Sequence, residues 1–164
     1  MLKLTIAGPN IFSRKSLKDY LRTTSYSSYI NKLIAKNNLS NIVEFVGILN
    51  EEEVKEKLLK SHVFVCPSSI ENSPNSLGEA MMLGVPSIAS YVGGIPSLLT
   101  HTSEGFLYQH DATYMLTRYI EEIFNNDMYA LEFSNMARKR AKETHNRNKN
   151  IGTLLKVYEK IHGI

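Results

Sequence analysis

Val63 to Pro86, VFVCPSSIENSPNSLGEAMMLGVP, constrains this chain more than any other stretch. Val63-Phe64-Val65-Cys66 is a short apolar run of the kind that forms a strand buried on both faces. Pro67-Ser68-Ser69 ends it, and a polar loop from Ile70 to Ser73 carries Glu71. A helix follows, and two starts for it are open. Ser73 fits an N-cap with Pro74 at the first helical position, and Ser76 with Glu79 fits a capping box. Gly84 fits the C′ position, with Pro86 just beyond. Strand, polar loop and helix N-terminus in this order offer free N–H groups and a positive dipole end, where α/β proteins hold anions.

The rest of the chain repeats the alternation. Leu2 to Ala7 reads as a buried strand closed by Gly8-Pro9, and Ile42 to Val46 as a second closed by Gly47. Between them a short helix is expected near Ser16 to Arg22. A longer one has Tyr29-Ile30, Leu33-Ile34 and Leu39 on one face and ends at Asn37-Asn38. Glu51 to Leu59 starts with acidic residues that suit a helix N-terminus. Val85 to Ser90 is a further strand followed by Gly93-Gly94, a turn in which backbone can approach a ligand closely. Pro96 to Leu99 is a short helix and Gly105 to Tyr108 the last strand. Helices follow over Ala112 to Phe124, Tyr129 to Thr144 and Asn148 to Ile161. Strands alternating with helices predict an α/β fold, a parallel sheet wrapped on both sides. The loops at Gly8-Pro9, Gly47, Glu71 and Gly93-Gly94 would then share its carboxyl edge.

The 164 residues, 43% apolar and 21% charged, suffice for one domain with a core. A core strand at residue 2 reads as the start of a piece cut from a longer protein. A net charge of +3 gives no argument for nucleic acid. The single Cys66 excludes an internal disulfide and a cysteine metal site, so a reducing, cytoplasmic compartment is the default. No apolar run approaches the ~20 residues that cross a bilayer, and no signal peptide opens the chain. His62, His101, His110, His145 and His162 are scattered without ligand spacing, so no metal is expected. No GxSxG, P-loop or Cys–His arrangement occurs. Arg138-Lys139-Arg140 and Lys142 read as a solvated helix face, or as a contact with an anionic membrane surface.

Glu71 and Glu79 lie eight positions apart, one in the loop and one in the helix. In one reading Glu79 caps its helix through Ser76 and Glu71 is solvated. In the other, Glu79 accepts from sugar hydroxyls and Glu71 faces a substrate. Gly78 costs the helix ~1 kcal/mol against alanine, which points to close packing or close ligand approach.

The ordered series LTIAGP (4–9), VEFVG (43–47), VFVCPS (63–68), ENSPNSLGEAM (71–81), GVP (84–86), GGIP (93–96) and GFL (105–107) resembles the C-terminal, donor-binding half of a family 4 glycosyltransferase with the GT-B fold. The resemblance covers residue 2 to about residue 124 and is specific through its combination of blocks. It implies a Rossmann-like domain in which Glu71 and Glu79 form the E-x7-E motif. Glu79 would bind the ribose hydroxyls of a nucleotide sugar, and Glu71 would be the catalytic carboxylate beside the donor sugar or its phosphate. Backbone at Pro74, Asn75 and Ser76 would approach sugar and diphosphate, and the base would sit against Gly47, Ile48 and Leu49. Gly8, Gly93 and Gly94 complete the expected nucleotide-sugar contacts.

The resemblance further implies hexose transfer from a nucleoside-diphosphate sugar to a glycan or lipid-linked acceptor. That transfer would proceed with retention and without a metal or other cofactor, in cell-surface polysaccharide synthesis, in the cytoplasm or at the inner membrane face. Departures exist. Asn72-Ser73-Pro74 stands where many members have Gly-Phe-Gly, and Ser97 where many have Glu. The family's first strand and helix of this half, with their diphosphate-binding Arg and Lys, would precede Met1, as would the acceptor-binding half. Residues 1–164 are therefore read as a single C-terminal fragment, inactive alone. Arg14 or Lys15 could reach phosphate, or be solvated. A non-catalytic nucleotide-binding or interaction module and a sugar-nucleotide epimerase remain alternatives.

Overall fold

In the computed structural model, which describes residues 2–9 and 25–163, strands and helices alternate. The order is β1 (Leu4–Ala7), α1 (Ser25–Lys36), β2 (Val43–Gly47), α2 (Glu51–Leu59), β3 (Phe64–Cys66), α3 (Asn75–Leu83), β4 (Ser87–Ser90), α4 (Ile95–Leu98), β5 (Gly105–Tyr108), α5 (Thr113–Asn125), α6 (Asp127–Thr144) and α7 (Arg147–His162). The expected helix near Ser16 to Arg22, and Arg14 and Lys15, lie outside the described residues. The chain divides into two units, Met1–Val54 and Lys55–Ile164.

In the first unit β1 and β2 pair in parallel, Leu4 opposite Val43 and Ile6 opposite Phe45. The sequence predicts a buried first strand, yet every residue of β1 is exposed. A parallel pair needs cover on both faces, and β1 keeps Leu4 and Ile6 in solvent. The α1 helix ends where Asn37-Asn38 predicts. Asn38 takes φ +55°, and Leu39 N–H returns to Ile34 O at 2.9 Å, closing a Schellman turn.

The second unit has three layers. Its parallel sheet runs β3-β4-β5, with β4 in the middle. Successive residues point to opposite faces, so Ala89 and Leu107 face one side while Ile88 and Phe106 face the other. On the first side they pack with Leu77 and Met81 of α3, Ile95 of α4 and Ala137 and Ala141 of α6. On the second they pack with Tyr119 and Ile123 of α5 and Phe133 of α6. The expectation that the Val63–Cys66 strand is covered on both faces is corrected here. β3 is the edge of this sheet, and only Cys66 is buried. Like β5, the central strand β4 is buried at every position, and it reads SIAS. Its serines satisfy their own polarity: Ser87 Oγ donates to Val85 O at 2.9 Å and Ser90 Oγ to Ser68 O at 2.5 Å.

Two arginines of the basic run do more than face solvent. Arg138 Nη2 donates to Leu83 O, the last carbonyl of α3, at 2.8 Å, and Arg140 Nη2 donates to Ser97 O in α4 at 3.0 Å. Both use cationic donors on helix-end carbonyls that have no helical partner. The stretch predicted as a solvated face thus fastens α6 across α3 and α4, leaving Lys139 and Lys142 exposed.

The α7 helix buries no residue. Gly152 lies inside it, and nothing stands within 4 Å of where a Cβ would be. Gly152→Ala is therefore expected to stabilise the chain by about 0.5–1 kcal/mol, read as a higher denaturant midpoint at unchanged slope.

Candidate functional site

The α3 helix carries three of the predicted positions at or near its first turn. Its N-cap is Pro74 (φ −71°, ψ 114°), not Ser73, and no side chain caps it. Pro74 is buried, and its carbonyl accepts from Leu77 N–H at 3.2 Å and Gly78 N–H at 3.4 Å. Both sequence-based starts are thereby corrected: Ser73 precedes the cap, and Ser76 is already inside the helix, where it cannot serve as the cap of a box with Glu79. The N–H groups of Asn75 and Ser76 open the helix without a capping acceptor. Leu77, Gly78, Ala80 and Met81 form the buried face, while Asn75, Ser76 and Glu79 are exposed. The far end matches expectation. Gly84 is left-handed (φ +74°), and its N–H and that of Val85 close a Schellman turn on Met81 and Ala80.

Gly78 answers to packing. A Cβ there would run into the His145 ring at the end of α6, whose Cε1 would lie 2.8 Å away.

Glu71 sits half-buried in the loop after β3. Its Oε1 accepts from Asn72 N–H at 3.0 Å, and its Oε2 from Ser68 Oγ at 3.4 Å. Ser68 Oγ also lies 3.8 Å from Cys66 Sγ. Burial pushes the Tyr108 phenol above its usual range, and the nearby Cys66 thiol adds to this.

The Glu71 loop rests on the turn after β4. A Cβ at Gly93 would strike the carbonyl oxygen of Glu71, and one at Gly94 that of Asn72. The two glycines, expected to admit a ligand, here admit protein backbone. Loops after two neighbouring parallel strands thus meet at the carboxyl edge of the sheet, where open α/β folds bind ligands.

In the first unit Gly8 (φ +141°) follows β1 and Gly47 (φ +77°) is the last residue of β2, and Gly8 N–H donates to Gly47 O at 2.8 Å. Ile48 beside them is exposed and Leu49 half-buried. Asn50 and Glu53 then form a reciprocal capping box on α2, at 2.8 and 3.0 Å.

Two residues at the site escaped the sequence reading, Ser68 and Ser90. Ser68 was legible in principle, because Ser68-x-x-Glu71 has the spacing noticed at Ser76-x-x-Glu79. Ser90 had no local signal, since its partner Ser68 is 22 positions away.

A parallel sheet edge with an uncapped helix start beside it is where α/β domains of the doubly wound class bind ligands. The family model described as glycosyl transferases group 1 matches residues 1–144, and the chain belongs to that family. It is 36% identical over 80 residues to the amylovoran biosynthesis glycosyltransferase AmsK of Erwinia amylovora, covering 45% of this chain and 20% of that one. It is 32% identical over 96 residues to the putative colanic acid biosynthesis glycosyltransferase WcaL of Escherichia coli, covering 54% and 24%. The chain thus spans about a quarter or less of the length of these curated relatives. Among solved structures it is similar to HepE of Anabaena in complex with UDP (TM-score 0.77, 19% identity, 95% of this chain and 41% of that one). It is also similar to sucrose-phosphate synthase of Thermosynechococcus elongatus (TM-score 0.80, 23% identity, 98% and 39%). The expected fold, a parallel α/β domain of GT-B type, stands.

Proposed function

We propose that the Lys55–Ile164 unit carries donor-binding elements of a retaining glycosyltransferase that moves a hexose from a nucleoside-diphosphate sugar to a glycan or lipid-linked acceptor. One observation carries this reading: the α3 N-terminus has no side-chain cap, and Glu79 stands exposed one turn further along the same helix. The diphosphate takes the Asn75 and Ser76 N–H groups and the positive dipole end. Glu79 accepts from the ribose hydroxyls, and Glu71 faces the donor sugar. As the sugar bond breaks, charge grows on the leaving diphosphate, and donors already aimed at it stabilise that charge. No metal is required for these steps.

In this reading an acceptor-binding half precedes the chain, and residues 1–164 alone do not turn over, because reaction requires donor and acceptor to be held together. The buried free thiol of Cys66 suits a reducing cytoplasm, and the exposed Lys139 and Lys142 suit contact with its anionic membrane face. That HepE was captured with UDP and with UDP-glucose supports UDP as the first nucleotide to test.

The test is a calorimetric titration of the chain with UDP, GDP and ADP. One nucleotide is expected to bind, at least about 10-fold more weakly after Glu79→Ala, the loss of charged hydrogen bonds. Binding that survives the substitution, or no binding at millimolar nucleotide, counts against the reading.

A further inference from the structure

We infer that Ser68 is a positioning residue for Glu71, setting the carboxylate orientation from which it acts on the donor sugar; the inference rests on the role proposed for Glu71. A carboxylate on a surface loop turns freely about its terminal bond. That of Glu71 has a donor facing each oxygen, which narrows its turn. Asn72 N–H holds Oε1 at 3.0 Å and Ser68 Oγ holds Oε2 at 3.4 Å. A hydroxyl has one proton. Ser68 gives it to Glu71, which leaves its lone pairs for the Cys66 thiol at 3.8 Å. The chain of donors runs one way, from Cys66 to Ser68 to Glu71.

Ser68 is itself fixed from below. Its backbone carbonyl accepts from Ser90 Oγ, a buried hydroxyl of the central strand, at 2.5 Å. On the other side, the Glu71 and Asn72 carbonyls lie against Gly93 and Gly94. The loop therefore hangs between β4 and the turn that follows it, and Ser68 transmits that anchorage to the carboxylate. An active-site carboxylate held within a narrow range of angles by such a supporting hydroxyl is worth more than a mobile one.

The experiment uses the full-length protein with UDP-glucose as donor, or with the glucose or mannose derivative of whichever nucleotide the titration selects. Turnover, donor KM and nucleoside diphosphate affinity are measured for Ser68→Ala, Ser68→Thr, Glu71→Gln and the Ser68→Ala/Glu71→Gln pair. Ser68→Ala should lower kcat about 3–10-fold, the range of an ordinary hydrogen bond, with diphosphate affinity unchanged. Threonine, which keeps the hydroxyl, should restore most of that rate. In the Glu71→Gln background Ser68→Ala should cost nothing further, because the two act as one unit. If Glu71→Gln abolishes turnover while Ser68→Ala stays within twofold of wild type, or if the two losses simply add, the Ser68 inference is overturned and the Glu71 reading survives. Full turnover in Glu71→Gln overturns the Glu71 reading itself, and the Ser68 inference with it. A fall in diphosphate affinity equal to the fall in kcat assigns Ser68 to the nucleotide contact rather than to Glu71 and also overturns it.

Discussion

Replacing Phe133 with alanine is expected to destabilise the Lys55–Ile164 unit by about 3–5 kcal/mol. Phe133 has no exposed surface, and it is the largest of the wholly buried side chains. It projects from α6 into the cluster under the sheet. Its ring meets Phe106 of β5 edge-on, 4.9 Å between centroids at 89°, and lies nearly parallel to Tyr129 at 5.7 Å. Phe106 in turn stacks on Tyr119 of α5 at 4.3 Å. Truncation removes one member of an aromatic cluster, centred on Phe106, that joins β5, α5 and α6, and close-packed neighbours collapse only partly into the space. Phe133→Leu should lose markedly less, because most of the volume stays. The measurement is the urea midpoint at constant slope. A loss below about 1 kcal/mol for alanine would mean that α6 is held by its C-terminal contacts rather than by this cluster.

Those C-terminal contacts mark where sequence reasoning reached its limit. Element order, strand direction and several helix ends were legible because they are local: Gly84 ends α3 through φ +74°, and Asn38 ends α1 through φ +55°. A basic run such as Arg138 to Lys142 predicts a solvated helix face or a contact with an anionic membrane surface, not a hydrogen bond to a distant carbonyl. The acceptors of Arg138 and Arg140, Leu83 and Ser97, are 55 and 43 positions away, and nothing near 138–140 announces them. The start of α3 failed for a different reason. Two local signals, Ser73-Pro74 and Ser76-x-x-Glu79, each fit a cap, and the chain uses neither because Pro74 itself takes the N-cap position. That failure sharpens the site, since an N-terminus without a side-chain cap retains its donors for an anion. Buried strands were misjudged through composition. β1 is apolar but exposed, whereas the strand at the centre of the second sheet contains two serines, both satisfied by carbonyls. The loop position of Glu71 and the helix position of Glu79 were legible locally; that Gly93 and Gly94 meet protein backbone was not, because Glu71 and Asn72 are distant in sequence.

Gly94→Ala separates that backbone contact from a ligand contact. At Gly94 the backbone has φ −87° and ψ −3°, a conformation any L-residue adopts, so alanine brings no torsional strain of its own. Its Cβ would nevertheless overlap the Asn72 carbonyl oxygen and stand 3.1 Å from that carbonyl carbon. No flexible side chain can yield there, so the Glu71–Asn72 backbone must lift off the turn. The expected cost is about 1–3 kcal/mol of stability, as for other overpacked sites. The functional effect should be larger. Lifting the loop separates Glu71 from Ser68 and shifts the carboxylate by an ångström or so, a displacement that lowers turnover on the order of 100-fold. Nucleoside diphosphate affinity should fall much less, because the Asn75 and Ser76 N–H groups and Glu79 belong to α3 rather than to the loop. Gly152→Ala, a change of the same chemistry with no neighbour to strike, serves as the control and should leave turnover unchanged. Unaltered stability and turnover in Gly94→Ala would mean that the loop does not rest on this turn. An equal fall in turnover and diphosphate affinity would mean instead that Gly94 meets the nucleotide, as its position after a strand first suggested.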